Sequence, residues 1–219
     1  MGSGTTSDTV PNANGEACTV DPDCASNACH AVQGQAQGLC SECKDDASCQ
    51  TSGVGKACVP KFADTGLDIL FWECGAGALG DTCEADTSCE EGLKCATFTI
   101  VGMDLKSCSE CQSNADCMAG TEVCNLGGDI GARKTYFECK ANNSLDQDAA
   151  CTPQAEGAED ACKGFCADAE IPIFGKQPGL GLCGACRPDH AEEDCGAGKT
   201  CSTPTINPQT GAVAGAKCM

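Results

Sequence analysis

Aromatic and basic residues are both scarce in this 219-residue chain, which has one Trp, one Tyr, six Phe, and 13 Lys plus Arg against 32 Asp plus Glu. So few large apolar side chains cannot fill the interior that a single domain of this length needs. The net charge of -19 repels phosphate backbones and anionic bilayers, which excludes nucleic acid as a partner. No apolar run reaches the eighteen or so residues of a membrane-spanning helix, so no transmembrane segment is expected. Histidine occurs only at His30 and His190, each isolated in a loop. Neither has a nucleophile or a tuned acid nearby, so no catalytic residue is identified and the chain is expected not to be an enzyme. No cofactor is implied.

Cysteine is abundant instead, at 24 residues, and evenly distributed. The cysteines form quartets: 18, 24, 29, 40; 43, 49, 58, 74; 83, 89, 95, 108; 111, 117, 124, 139; 151, 162, 166, 183; and 186, 195, 201, 218. Two consecutive quartets make an octet, and octets start 65 and then 68 residues apart, the period of a tandem array. An even count with none left over points to a disulfide scaffold in an oxidising location. Each closed loop contributes about 3 kcal/mol in the chain-entropy model.

Within a quartet the first two cysteines enclose a turn-rich, acidic loop, as in Cys18-Thr-Val-Asp-Pro-Asp-Cys24 and Cys111-Gln-Ser-Asn-Ala-Asp-Cys117. The segment from third to fourth cysteine carries the strand character. Between Cys95 and Cys108, β-branched and aromatic residues flank Gly102. Hairpins are also expected between Cys58 and Cys74 with the turn at 63–66, between Cys124 and Cys139, and around 207–211 in the last quartet. No segment has helical apolar periodicity for three turns. The expected fold class is therefore small, disulfide-rich and mainly β. It is a tandem array of six four-cysteine units, each a loop plus a β-hairpin, grouped as three eight-cysteine repeats with little helix.

Composition places a flexible N-terminal tether at 1–17, repeat 1 at 18–74, a linker at 75–82 and repeat 2 at 83–139. A second linker follows at 140–150, then a divergent repeat 3 at 151–219 with longer loops. The tether is rich in Gly, Ser, Thr and Asn, and in a bacterial lipoprotein such a segment follows a lipidated cysteine. A lipid anchor at the native N-terminus is accordingly an expectation.

The spacing C-x(5)-C-x(4 to 8)-C, with Asp23 or Asp116 just before the second cysteine, resembles the Dickkopf/colipase type of cysteine-rich module. It is similar above all to the tandem repeats of myxobacterial-type secreted and lipid-anchored proteins. The resemblance spans residues 18 to 218 and implies a surface or secreted location and a binding or structural role. It also implies a crossed pairing, first cysteine to third and second to fourth, among the 105 pairings open to an octet. On that basis Cys18 pairs with Cys29, Cys24 with Cys40, Cys43 with Cys58, Cys49 with Cys74, Cys83 with Cys95 and Cys89 with Cys108. Likewise Cys111 pairs with Cys124, Cys117 with Cys139, Cys151 with Cys166, Cys162 with Cys183, Cys186 with Cys201 and Cys195 with Cys218.

Three rival readings attach to particular residues. The two-residue gaps Cys40 to Cys43, Cys108 to Cys111 and Cys183 to Cys186 suit zinc and suggest a thiolate metal-sequestering protein. The segment Gly131-Ala-Arg-Lys134 could be a rigid protease-inhibitor loop. The carboxylates of the first loops, including Asp21, Asp23, Asp45, Asp46, Asp86 and Asp194, could attract calcium. Aromatic pairs recur before the last cysteine of two octets, Phe71-Trp72 and Tyr136-Phe137, and are candidate partner-binding residues. The expected function is that of an exported, non-enzymatic extracellular or cell-surface protein, an outer-membrane lipoprotein or periplasmic protein included. It would hold a protein or glycan partner or associate with itself.

Overall fold

Half-cystines take the place of a conventional core. Among the largest fully buried side chains of the described residues only Leu182 and Pro204 are not cysteines. A computed structural model of the protein describes residues 10–32, 35–63, 68–100, 102–129, 134–155, 158, 160–172, 174–207, 210 and 212–219. All 24 cysteines are disulfide-bonded. The fold is small and mainly β, and the chain divides into two compact units, Met1–Glu90 and Glu91–Met219.

In the first unit, β1 (Ala17–Cys18), β2 (Cys29–His30) and β3 (Gly38–Cys40) form a three-stranded sheet in the order β1-β3-β2. The loop of the second quartet is the short helix α1 (Asp46–Ser52). Asp45 caps it by accepting the Ser48 N–H, and Gly53 ends it with φ 71°, a left-handed conformation suited to glycine. The hairpin of β4 (Ala57–Phe62) and β5 (Ile69–Gly75) follows.

The second unit opens with two hairpins. One is β6 (Lys94–Ile100) with β7 (Met103–Ser109), and the other is β8 (Glu122–Asp129) with β9 (Lys134–Ala141). Gly102 turns the first with φ 74°. The third octet builds a five-stranded sheet from β10 (Ala150–Cys151), β11 (Phe165–Ile171), β12 (Gly175–Gly184), β13 (Thr205–Ile206) and β14 (Val213–Ala214), in the order β10-β12-β11-β13-β14. A single parallel pairing, Glu170 with Thr205, joins its two halves. A second short helix, α2 (Ala191–Cys195), lies in the last acidic loop. The segment at 140–150 is bound into this unit: Leu145 bridges to Cys162, and the Asp148 carboxylate accepts the Gly215 N–H at 2.7 Å.

One register recurs throughout. The third and fourth cysteines of every quartet are direct cross-strand partners: Cys29 with Cys40, Cys58 with Cys74, Cys95 with Cys108, Cys124 with Cys139, Cys166 with Cys183, and Cys201 with Cys218. Directly opposed residues project from the same face of a hairpin. Both sulfurs therefore reach one loop, the loop that carries the first two cysteines. Cys18 is bonded to Cys29 and Cys24 to Cys40, and the same crossing recurs in the quartets beginning at Cys43, Cys111, Cys151 and Cys186, with Cα separations of 5.3 to 6.0 Å.

Candidate binding surface

The acidic loops are organised by hydrogen bonds to their own backbone. The Asx residue three places before the second cysteine accepts the N–H of the third: Asp21 from Cys29 at 3.1 Å, Asp46 from Cys58 at 2.8 Å, and Asn114 from Cys124 at 2.9 Å. Asp160, two places before its cysteine, does the same for Cys166 at 3.1 Å. The Asp immediately before the second cysteine accepts the N–H that follows the first: Asp23 from Thr19 at 2.8 Å, Asp116 from Gln112 at 2.9 Å, and Asp194 from Arg187 at 2.7 Å. These bonds favour the ionised carboxylate. The Lys94 ammonium and then the Gln112 N–H hold Asp116 down at about 2, and the Thr19 and Val20 N–H groups lower Asp23. Oxygens so engaged are poor candidates for a calcium shell.

The joint inside each octet positions the aromatic pairs. In the first octet the buried Ser41 hydroxyl accepts the Trp72 N–H at 3.1 Å, while the Glu42 N–H donates to the Trp72 carbonyl at 2.8 Å. In the second, Ser109 and Glu110 make the same pair of bonds to Phe137, at 3.0 and 2.9 Å. Glu110 adds its carboxylate to the Cys139 N–H at 3.0 Å. In the third octet Ala185 N–H donates to the Ala216 carbonyl at 2.8 Å. Ala216 packs so tightly there that a Cβ on Gly184 would lie 2.6 Å from its backbone nitrogen. The repeated Ser-Glu dipeptide was the sequence signal for this joint.

Each candidate aromatic residue has neighbours within its own unit. Trp72 packs against the half-cystines Cys43, Cys49 and Cys58 and stacks on His30. Phe137 covers Leu126, Ile171 and Leu180 and meets Phe98 edge-on at 6.2 Å. The Tyr136 ring lies across Gly127, where a Cβ would come within 3.1 Å of it. Phe71 is half-buried on β5, beside the exposed Ile69 and Leu70. Because every cysteine is disulfide-bonded, the zinc reading loses its thiolates. Residues 131–133 of the suggested inhibitor loop lie outside the described residues.

A groove in the second unit has no counterpart in the sequence reading. Its apolar end is a cavity of 250 Å³ lined by Phe98, Leu126, Phe137, Pro178 and Leu180, with Thr97, Thr99 and Thr152 at its margins. Pro178 and Thr99 also line the next cavity, of 540 Å³, together with Phe174 and Lys176. Phe174 is 54% exposed, a large apolar side chain left in solvent. Lys176 in turn borders a third cavity of 410 Å³ lined by Asp168, Glu170, Arg187, Asp189 and His190. The Arg187 guanidinium is fixed by Asp194, with contacts of 2.9 and 3.1 Å, and lies 4.6 Å over the Phe165 ring. Lys176 stands 3.3 Å from Asp168 and 3.9 Å from Asp189. These residues come together from β6, β8, β9, the long β11–β12 hairpin and the last loop, so no local sequence pattern marks them.

No protein-family model, curated protein or solved structure matches the chain.

Proposed function

We propose that this is an exported, non-enzymatic protein of the cell surface or extracellular space, a disulfide-stapled repeat scaffold of the Dickkopf/colipase-like kind. It serves as a structural or binding module. The observation that carries this reading is the bonding of all 24 cysteines, which supply most of the fully buried large side chains among the described residues. Disulfides in this number persist where the redox poise is oxidising and would be reduced in a cytosol. The loop carboxylates support it further, because they cap backbone N–H groups inside a rigid frame. Among the described residues, no helix is long and apolar enough to cross a membrane. A polar tether ahead of the first quartet suits attachment through a lipid, which is part of the same proposal.

The test is made on the protein recovered from its native cells, by fractionation and by counting free thiols in denaturant. About zero thiols in an extracytosolic fraction supports the reading, and partition into the detergent phase of a Triton X-114 extract supports the lipid. A reduced protein in the cytosol overturns the reading.

A further inference from the structure

Neighbouring cavities along the β11–β12 hairpin share lining residues, Thr99 and Pro178 between the first two and Lys176 between the second and third. The line extends onto a fourth cavity of 370 Å³ through Pro188, Asp189 and His190, where Glu192 and Glu193 are added. The two ends differ in chemistry. At one end lie Phe98, Phe137, Leu126 and Leu180, at the centre the exposed Phe174, and at the other a cluster of carboxylates.

The charge of that acidic end is not balanced from within. Six carboxylates, Asp168, Glu170, Asp189, Glu192, Glu193 and Asp194, stand with two permanent cations, Lys176 and Arg187. Arg187 is already bound by Asp194, whose side chain is only 4% exposed. Lys176 is shared between Asp168 and Asp189, while Asp189 and Glu193 remain 84% and 73% exposed. The chain's net charge of -19 adds to the field of these carboxylates.

We propose that this groove takes an extended segment of a basic polypeptide. An apolar side chain of the partner enters the Phe98–Phe137–Leu180 cavity, its backbone crosses Phe174 and Pro178, and a Lys or Arg further along meets Asp168, Glu170 and Asp189. The proposal deepens the binding role argued above and rests on it. A row of neighbouring cavities suits a chain that spans them better than one compact small molecule. The acidic end calls for cations on that chain, which a neutral glycan lacks.

The experiment is fluorescence anisotropy with the oxidised, full-length protein and fluorescein-labelled dodecapeptides of Gly and Ser. Each carries one Leu and a Lys-Lys pair at varied spacing, with matched peptides in which Leu is Ser or the lysines are Glu. Binding should peak at one spacing, weaken with added salt, and fall about tenfold in the doubly substituted Glu170→Lys, Asp189→Lys protein. Both substituted residues are exposed, so the fold is retained, as circular dichroism would verify. Phe98→Ala should weaken the Leu peptide and leave its Ser counterpart unchanged. Equal binding of the glutamate peptides, no binding at any spacing, or binding of chitohexaose that the two charge substitutions do not alter would overturn the proposal. Because the protein is tested directly, failure here leaves the location and redox reading standing.

Discussion

The imidazole of His30 lies flat on the indole of Trp72, with 3.8 Å between ring centroids and 13° between planes. The contact crosses from the first quartet to the second, since His30 follows Cys29 and Trp72 precedes Cys74 by two residues. It sits beside the Ser41 bond to the Trp72 N–H, so the two halves of the first octet are joined by a ring stack and a hydrogen-bonded joint together. The Nδ1 atom of His30 is buried with no hydrogen-bond partner. Burial disfavours the imidazolium and pushes its pKa below the ordinary histidine value of 6.5, against a smaller opposing contribution from the Cys43 backbone.

Acidification should therefore weaken the first octet before any carboxylate titrates. Neutral His30 is the form the fold prefers, so its contribution is complete above about pH 6.5, where the unfolded chain is also neutral. As pH falls through that value the unfolded state takes up a proton that the folded state resists, and stability declines until pH passes below the folded pKa. Guanidinium unfolding followed by the fluorescence of Trp72, the single tryptophan, should show this loss between pH 7.5 and 5.5. His30→Phe keeps a stacking ring and removes the dependence. A pH response that survives in His30→Phe would assign the effect to another group.

Asp46 is the most consequential of the loop carboxylates. It is 4% exposed and accepts the N–H groups of Cys58 at 2.8 Å and Glu84 at 2.6 Å, tying its loop to its own hairpin and to the start of the next octet. Asp46→Ala leaves two amides without acceptors, at a cost of about 3 kcal/mol. Asp46→Asn keeps one oxygen acceptor and should cost less. Unfolding monitored through Trp72 measures both, and equal destabilisation by the two variants would contradict the assignment.

The disulfide-rich, mainly β class was legible because cysteine spacing is periodic and because the segments between third and fourth cysteines have strand composition. The helix α1 was not, since a seven-residue helix shows no apolar stripe; its signals were Asp45 as cap and Gly53 as terminator. Spacing alone does not fix the bridges either, because eight cysteines admit 105 pairings. The cross-strand register of Cys58 with Cys74 and its five counterparts is a property of the folded hairpin. For the binding surface, the sequence singled out Trp72 and Phe137 by position but could not show that they pack inward. The apolar cavity escaped notice because Phe98, Phe137 and Leu180 meet only in the tertiary fold.

The Ser hydroxyls of the octet joints should matter more than their size suggests. Ser109 is fully buried, accepts the Phe137 N–H at 3.0 Å and donates to the Ser107 carbonyl at 3.1 Å. Ser109→Ala strands both groups in a site without water access and should cost about 2 kcal/mol. Hydrogen exchange resolved at the Phe137 amide is the appropriate readout, and it should accelerate while the Cys139 amide, held by Glu110, changes less. Ser41→Ala should reproduce the effect at Trp72. Unchanged exchange at both amides would show that the joint is held by the backbone bonds alone.

In the third octet the same joint has no side chain to lose, and its weak point is space. A Cβ built on Gly184 meets the Ala216 nitrogen at 2.6 Å, its carbonyl oxygen at 2.7 Å and its Cβ at 2.9 Å. Two of these three atoms are backbone, so rotation of a side chain gives no relief. Gly184→Ala must push the final hairpin off the β11–β12 sheet, breaking the Ala185 N–H bond to Ala216, at a cost of about 1–3 kcal/mol. The Ala185 amide should then exchange faster, and Cys195–Cys218 should become more reducible by dithiothreitol as its hairpin loosens. Adding Ala216→Gly should not restore protection, because the backbone atoms remain in the way. Full rescue by that second substitution would mean that the clash is between the two methyl groups and that the backbones have room to separate.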